Sequence, residues 1–294
     1  MSLSEYSFLE QYRSKRKRIF TSAFRSLSLA LRDFDANSID SGGIRVRQSS
    51  QMDVVESAQL NTAQALEHWY YKAKFHLIRS YLRQIPSLTN KSRVADFGCG
   101  LGTFLTYLEK KNIFWASQMR GIDVAFSNPT QSLDGTVQIL PTWPNDILFD
   151  LILMMDVLEH IEDDTNILSE AARHLAPCGH IFITVPAFQW MFSAHDRFLR
   201  HYRRYTEHSL SALIRRCRDL EVINLHYYYA SVFPLAAPLR LMRRHKTMTT
   251  ASDLKFLPKF VNWFLWVVTF LELPIARWNH LFGLSVVALC RKKQ

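Results

Sequence analysis

VADFGCGLGTFL, residues 94–105, runs a short apolar segment into three glycines at 98, 100 and 102. Glycine supplies conformations and close approaches that a Cβ forbids. The spacing therefore asks what lies against this backbone: a phosphate, a nucleoside or only a neighbouring helix. A strand feeding a glycine-rich turn and then a helix is the place where a doubly wound sheet opens its ligand crevice. A dinucleotide site calls for GxGxxG, whereas the pattern here is GxGxG with Thr103 next. No Gly-Lys-Ser/Thr follows, which counts against a P-loop. Asp96, two residues before the first glycine, would repel a phosphate but could hold an ammonium or a hydroxyl.

Outward from this loop, strand and helix signals alternate. Strands are expected at 93–97, 119–123, 137–140, 149–155, 180–185, 221–229 and 284–290, and helices at 103–111, 164–175 and, capped by Thr206, up to 219. A further helix is expected over 62–85, stopped by Pro86 and carrying His68, Trp69, Tyr71, Lys72 and Arg79. This alternation predicts an α/β fold: a doubly wound, Rossmann-like, mostly parallel seven-stranded sheet covered on both faces. The expected organisation is a basic amphipathic N-terminal helical extension and linker (1–61), a core (62–230), an aromatic-rich helical insertion (231–283) and the last strand of the core (284–294). The linker at 37–50, with its SGG at 41–43, is a candidate lid.

The chain has 294 residues, 48% hydrophobic and 21% charged, which is ordinary for a folded core and speaks against disorder. A net charge of +10 favours anionic partners: nucleic acid, anionic lipid or phosphorylated substrates. Cysteines at 99, 178, 217 and 290 form no CxxC pair, which argues for a reduced compartment. The start, MSLSEYSFLEQYRSKRKRIF, lacks an apolar stretch after its charges and does not read as a signal peptide. The expected location is cytoplasmic, with peripheral contact at the inner face of a membrane as a further reading. Two features motivate that reading. One is the basic helix around RSKRKR at 13–18. The other is the block FLPKFVNWFLWVVTFLELP, whose apolar core falls short of the roughly 20 residues of a span and which Pro258 and Pro274 bracket. The insertion is read as a helical pair that covers the sheet, meets lipid, walls a greasy acceptor or mediates a homo-oligomer.

Residues 94–103, VADFGCGLGT, resemble the first motif of class I S-adenosylmethionine-dependent methyltransferases, whose cofactor carries an amino group and no phosphate. Gly121-Ile122-Asp123 is similar to the family's second-strand end, 25 positions beyond Gly98 (123 − 98), where the acid accepts both ribose hydroxyls. Residues 149–160 resemble the fourth-strand motif, 175–180 the turn before the fifth strand, and 284–291 the seventh strand. The resemblance implies an enzyme transferring a methyl group. It further implies that Asp96, Gly98, Cys99, Gly100, Gly102, Asp123, Val124, Met155 and Asp156 border S-adenosylmethionine.

Methyl transfer from a sulfonium is an in-line displacement, so the acceptor must be aligned and, where it is O–H or N–H, relieved of its proton. DVLEHIEDD at 156–164 and SAHDRFLRHYRRYT at 193–206, read as a loop, supply the candidates. Asp156, Glu159 and His160 are similar to the D/E-x-x-E-H arrangement of metal-dependent members such as ubiquinone O-methyltransferases and small-RNA 2'-O-methyltransferases. In those a later histidine, here His201, completes a site for a divalent ion such as magnesium. Without metal, His160 or His195 is the candidate base and Asp196 its orienting carboxylate. Arg197, Arg200, Arg203 and Arg204 could meet an acidic acceptor or pair with neighbouring acids. The second stretch also resembles methyltransferases of lipid-linked sugars and polyketide-like products. The leading expectation is O-methylation of a small hydrophobic or lipid-linked acceptor near a membrane. RNA methylation and a non-catalytic binding role are the alternatives.

Overall fold

The computed structural model describes residues 67–132, 134–242 and 257–294. The basic extension and the candidate lid at 37–50 lie outside the described residues. Helix α1 (Trp69–Leu82) precedes β1 (Val94–Phe97), α2 (Thr103–Lys110), β2 (Met119–Ile122), β3 (Thr130–Gln131), β4 (Gln138–Leu140) and β5 (Phe149–Met155). Then follow α3 (Asp164–Arg173), β6 (Leu175–Pro186), α4 (Ala194–Phe198), α5 (Glu207–Arg216) and β7 (Leu220–Tyr228). Helices α6 (Phe233–Met242) and α7 (Lys259–Ala276) lead to β8 (Ser285–Lys292).

The strands form one sheet in the order β3-β4-β2-β1-β5-β6-β8-β7. From β4 to β6 neighbours are parallel, and β8 runs antiparallel between β6 and β7. Strands buried on both faces read as continuous apolar runs, and Val94–Phe97 and most of Phe149–Met155 are fully buried. Two apolar cores result. One gathers Ile167, Leu168, Leu210 and Ile214 of α3 and α5 against the sheet. The other gathers Phe75 and Ile78 of α1 with Leu105 and Leu108 of α2. There Phe75 and Tyr107 stack with ring centroids 4.0 Å apart. Because β1, β2 and β5 are parallel and in register, the residues that follow them, Gly98, Asp123 and Asp156, emerge at one edge of the sheet.

The sheet has eight strands rather than seven. The additional strand, Thr130–Gln131, is a two-residue antiparallel edge on β4, too short to show any alternation. Its turn is held by side chains instead: Ser132 Oγ donates to Asp134 Oδ1 (2.7 Å) and accepts from Val137 N–H (3.0 Å). Strand β6 starts at Leu175, five residues before the expected position, and α3 stops at Arg173. Pro177 cannot continue a helix, and Leu175 instead pairs with Phe149 across a register shift. Pro258 caps α7 as its bracket position suggests, but Pro274 lies inside the last turn of that helix.

Candidate active site

The glycine loop answers the opening question in two parts. Gly98, Gly100 and Gly102 all hold positive φ, at 71°, 52° and 76°. A Cβ on Gly98 would stand 2.6 Å from Val157 Cγ2, and one on Gly102 would stand 2.9 Å from Ser132 Cβ. Side chains are thus excluded at 98 and 102 by backbone conformation and by neighbouring protein. Gly98, Cys99 and Gly100 form the floor of a cavity of about 410 Å³. Gly121 makes room for the Cys99 thiol: its Cβ would lie 2.6 Å from that sulfur, consistent with Cys99 as a small filler.

Asp123 follows β2 and is buried; its Oδ2 accepts from Gly100 N–H (2.7 Å) and its Oδ1 from Ala125 N–H (2.9 Å). It clasps the loop to the second strand. Asp96 is buried on β1, with Oδ2 lacking a hydrogen-bond partner among the described residues. Burial foremost, with the Asp123 charge, pushes its carboxyl well above the ordinary range. A buried carboxyl in that state favours an added cationic or hydroxyl partner, which suits a cofactor with an ammonium and a ribose. Met155 and Asp156 line the cavity with Gly98, Cys99 and Gly100. Asp96, Gly102, Asp123 and Val124 are not among its lining residues, and Val124 is exposed.

Asp156 sits at φ 56° at the end of β5. Its carboxylate forms a buried ion pair with the Lys74 ammonium and accepts from Tyr70 Oη–H (2.6 Å) and Thr184 Oγ1–H (2.9 Å). Burial alone would raise its pKa, but Lys74 and these hydrogen bonds hold it below the ordinary carboxylate value. Tyr70 stacks on Tyr229 at 5.9 Å and lies under the Lys74 ammonium. Tyr70 and Lys74 escaped the sequence reading, which took other residues from this helix. Their signal was the i, i+4 spacing on α1, with a lysine among core positions that needs a counter-charge.

At the other end of the cavity, Glu159, His160 and His201 bring one ligand atom each within 4.8 Å of one another. The His160 and His201 rings meet edge to face at 4.4 Å. Burial first, and then the Asp156 charge, push Glu159 up to about 8, so its carboxyl holds a proton at neutral pH. Asp156 does not join this group, because both its oxygens are engaged by Lys74, Tyr70 and Thr184. One carboxylate with two imidazoles suits manganese, iron or zinc better than magnesium. Such an ion would be held by Glu159, His160 and His201, where it would supply Lewis acidity.

The stretch 193–206 is not all loop, since Ala194–Phe198 forms a short helix. Its Asp196 is fully buried and accepts from Ser193 N–H (2.8 Å), His201 Nδ1–H (2.9 Å) and Arg204 Nε–H (2.7 Å). Although burial raises its pKa, His201 and Arg204 hold it far below the usual range. Asp196 therefore orients His201, so the later histidine gains the carboxylate support first expected for His195 or His160. Arg203 is paired with Asp164 (2.8 Å). His195 lines the same lobe, which is closed by Val232, Leu235, Ala236, Leu239 and Arg240 of the α6 region and by Leu265 of α7.

A sheet that floors a crevice with glycine backbone and walls its far side with imidazoles is built for group transfer from a nucleoside cofactor to a second molecule. The group follows from the sequence match: residues 55–225, more than half of the chain, fit the family described as "Methyltransferase domain". The chain belongs to that family and is an S-adenosylmethionine-dependent methyltransferase. No curated protein matches its sequence.

Among solved structures, one similar chain is a candidate sarcosine dimethylglycine methyltransferase from Galdieria sulphuraria (14% identity, TM-score 0.50, 84% of this chain and 99% of that one). A second comes from the complex of the Haloferax volcanii Trm112 methyltransferase activator with its candidate methyltransferase (16%, 0.49, 85% and 98%). A third is the plantazolicin methyltransferase BpumL in complex with SAH (12%, 0.47, 97% and 100%). At these identities the likeness concerns the fold.

Proposed function

We propose that the chain transfers the methyl group of S-adenosylmethionine to an oxygen of a small hydrophobic or lipid-linked acceptor near a membrane surface. The supporting observation is a single cavity with two unlike ends. The cofactor end consists of Gly98, Cys99, Gly100 and Met155, with Asp156 fixed by Tyr70, Lys74 and Thr184. The acceptor end pairs His160, His195 and His201 with Leu235, Leu239 and Leu265. In the proposed step an acceptor oxygen forms a bond to the methyl carbon as the S–CH3 bond breaks. The sulfonium becomes a neutral thioether, and the acceptor proton passes to an imidazole. Asp196, by accepting from Nδ1–H, fixes the tautomer that leaves Nε2 of His201 as the proton acceptor. His160 and His195 align the acceptor in the same lobe.

A second reading rests on the clustering of Glu159, His160 and His201. There a divalent cation would lower the pKa of the acceptor hydroxyl. Incubation with labelled S-adenosylmethionine and a series of lipophilic phenols and lipid-linked sugars, with the methylated atom located by NMR, tests the main reading. It is supported by O-methyl products whose formation falls at least tenfold in His201→Ala. Methylation of RNA or of nitrogen instead would overturn it.

A further inference from the structure

By length and composition α7 could cross a membrane, yet its attachments forbid that. Thr269, Glu272 and Ala276 are buried against the fold. Glu272 accepts from Ala230 N–H (2.8 Å), Ser231 N–H (2.9 Å) and Ser231 Oγ–H (2.6 Å), which fastens α7 to the start of α6. Near the other end, Asn262 accepts from Trp69 N–H (2.8 Å). The helix is held along its side and presents the opposite side outward. On that side Phe260, Phe264, Leu271, Ile275 and Trp278 recur at steps of four, seven, four and three, with Trp263 beside them, all half to four-fifths exposed. Such a stripe on a folded domain marks a contact surface.

We propose that this stripe seats the protein in the plane of an anionic bilayer surface. The charge distribution identifies the occupant. The ends of the stripe carry exposed Lys259 and Arg277, the latter over the Trp278 ring at 4.4 Å. The only acid of α7, Glu272, is turned inward, and Arg243, Arg244 and Lys246 follow α6 in sequence. Tryptophans and cations at both ends of an apolar face are the pattern of a helix lying in a membrane interface. A chain of net charge +10 is repelled by its own copy and drawn to anionic lipid. Leu235 and Leu239 of the adjoining α6 both line the cavity and are exposed, which gives a lipophilic acceptor a route from the bilayer. That route rests on the acceptor reading above; the docking does not.

Co-sedimentation of the full chain with vesicles of phosphatidylcholine, alone or mixed with phosphatidylglycerol, tests the docking. Binding should favour the anionic vesicles, weaken with salt and blue-shift tryptophan emission. Phe264→Gln/Leu271→Gln removes two large exposed apolar groups without adding charge and should lower partitioning at least about tenfold, with SAH binding and melting temperature unchanged. Undiminished vesicle binding by this variant would overturn the proposal, as would no binding by the natural chain. A dimer in sedimentation velocity that the variant abolishes would assign the face to a second copy instead. Were vesicle binding to behave as stated while no lipophilic acceptor is methylated, the docking would stand and the acceptor reading alone would fall.

Discussion

Lys74→Met tests the electrostatics that position the cofactor end. The lysine side chain is 3% exposed and its Asp156 partner 25%, and methionine keeps most of the aliphatic stem. Removing one partner of a buried ion pair costs about 3–5 kcal/mol, because the other charge is left uncompensated. Here Tyr70 and Thr184 still donate to Asp156, which also borders a cavity that water can enter, so the expected loss is about 2 kcal/mol. For a chain of this size that corresponds to a melting shift of roughly 5 °C. Urea unfolding of the natural chain, Lys74→Met, Asp156→Asn and the double variant would measure it. The asparagine removes the orphaned charge, so the double variant should lose less than the two single losses added together. A single loss below about 0.5 kcal/mol with additive behaviour would refute this view of the pair as mutually dependent.

Other expectations follow from the same structure. Gly98→Ala must hold φ near 71° with its Cβ 2.6 Å from Val157 Cγ2. It should lose about 2–4 kcal/mol in thermal unfolding, with Val157→Ala in the same chain restoring the packing part but not the backbone part. His226 is pushed down to about 4, foremost by burial, so between its unfolded pKa of about 6.5 and that value only the unfolded chain takes the proton. Stability is therefore fully present above about pH 6.5 and falls as pH drops, by up to roughly 3 kcal/mol at pH 4. His226→Gln should flatten this part of a melting-temperature profile, and an unchanged slope would contradict it. Glu272→Gln weakens the tie between α6 and α7. It should cost about 1–2 kcal/mol and raise the KM for acceptor more than it changes SAH affinity; equal effects on both would place the tie outside the acceptor lobe.

What the sequence made legible were the features written in local chemistry. The run into Gly98, Gly100 and Gly102 located β1, the loop and α2, and continuous apolar stretches located β2 and β5. The apolar block before the last strand yielded a helical pair, α6 and α7. Features set by distant partners were not legible. Thr130–Gln131 is a strand only because β4 offers an edge. Leu175 pairs with Phe149 where a local reading ended a helix. Tyr70 and Lys74 matter because Asp156, more than 80 positions away, turns toward them at a positive φ. The same turn separates Asp156 from Glu159, His160 and His201, although all fall within one motif or its later complement. Asp196 chooses His201 over closer histidines in sequence because the chain after α4 folds back, with His201 N–H donating to the Asp196 carbonyl (2.9 Å).

The most direct test of the central claim is a calorimetric titration of the full chain with S-adenosylhomocysteine, run beside Asp123→Ala. Asp123 clasps Gly100 and stands at the end of β2, where the resemblance implies that the ribose is held. The account predicts saturable binding at one site per chain, weakened at least tenfold in a variant that still unfolds cooperatively. Absence of binding by the natural chain, or equal affinity in a folded variant, would contradict the assignment of the glycine-floored cavity as the cofactor site.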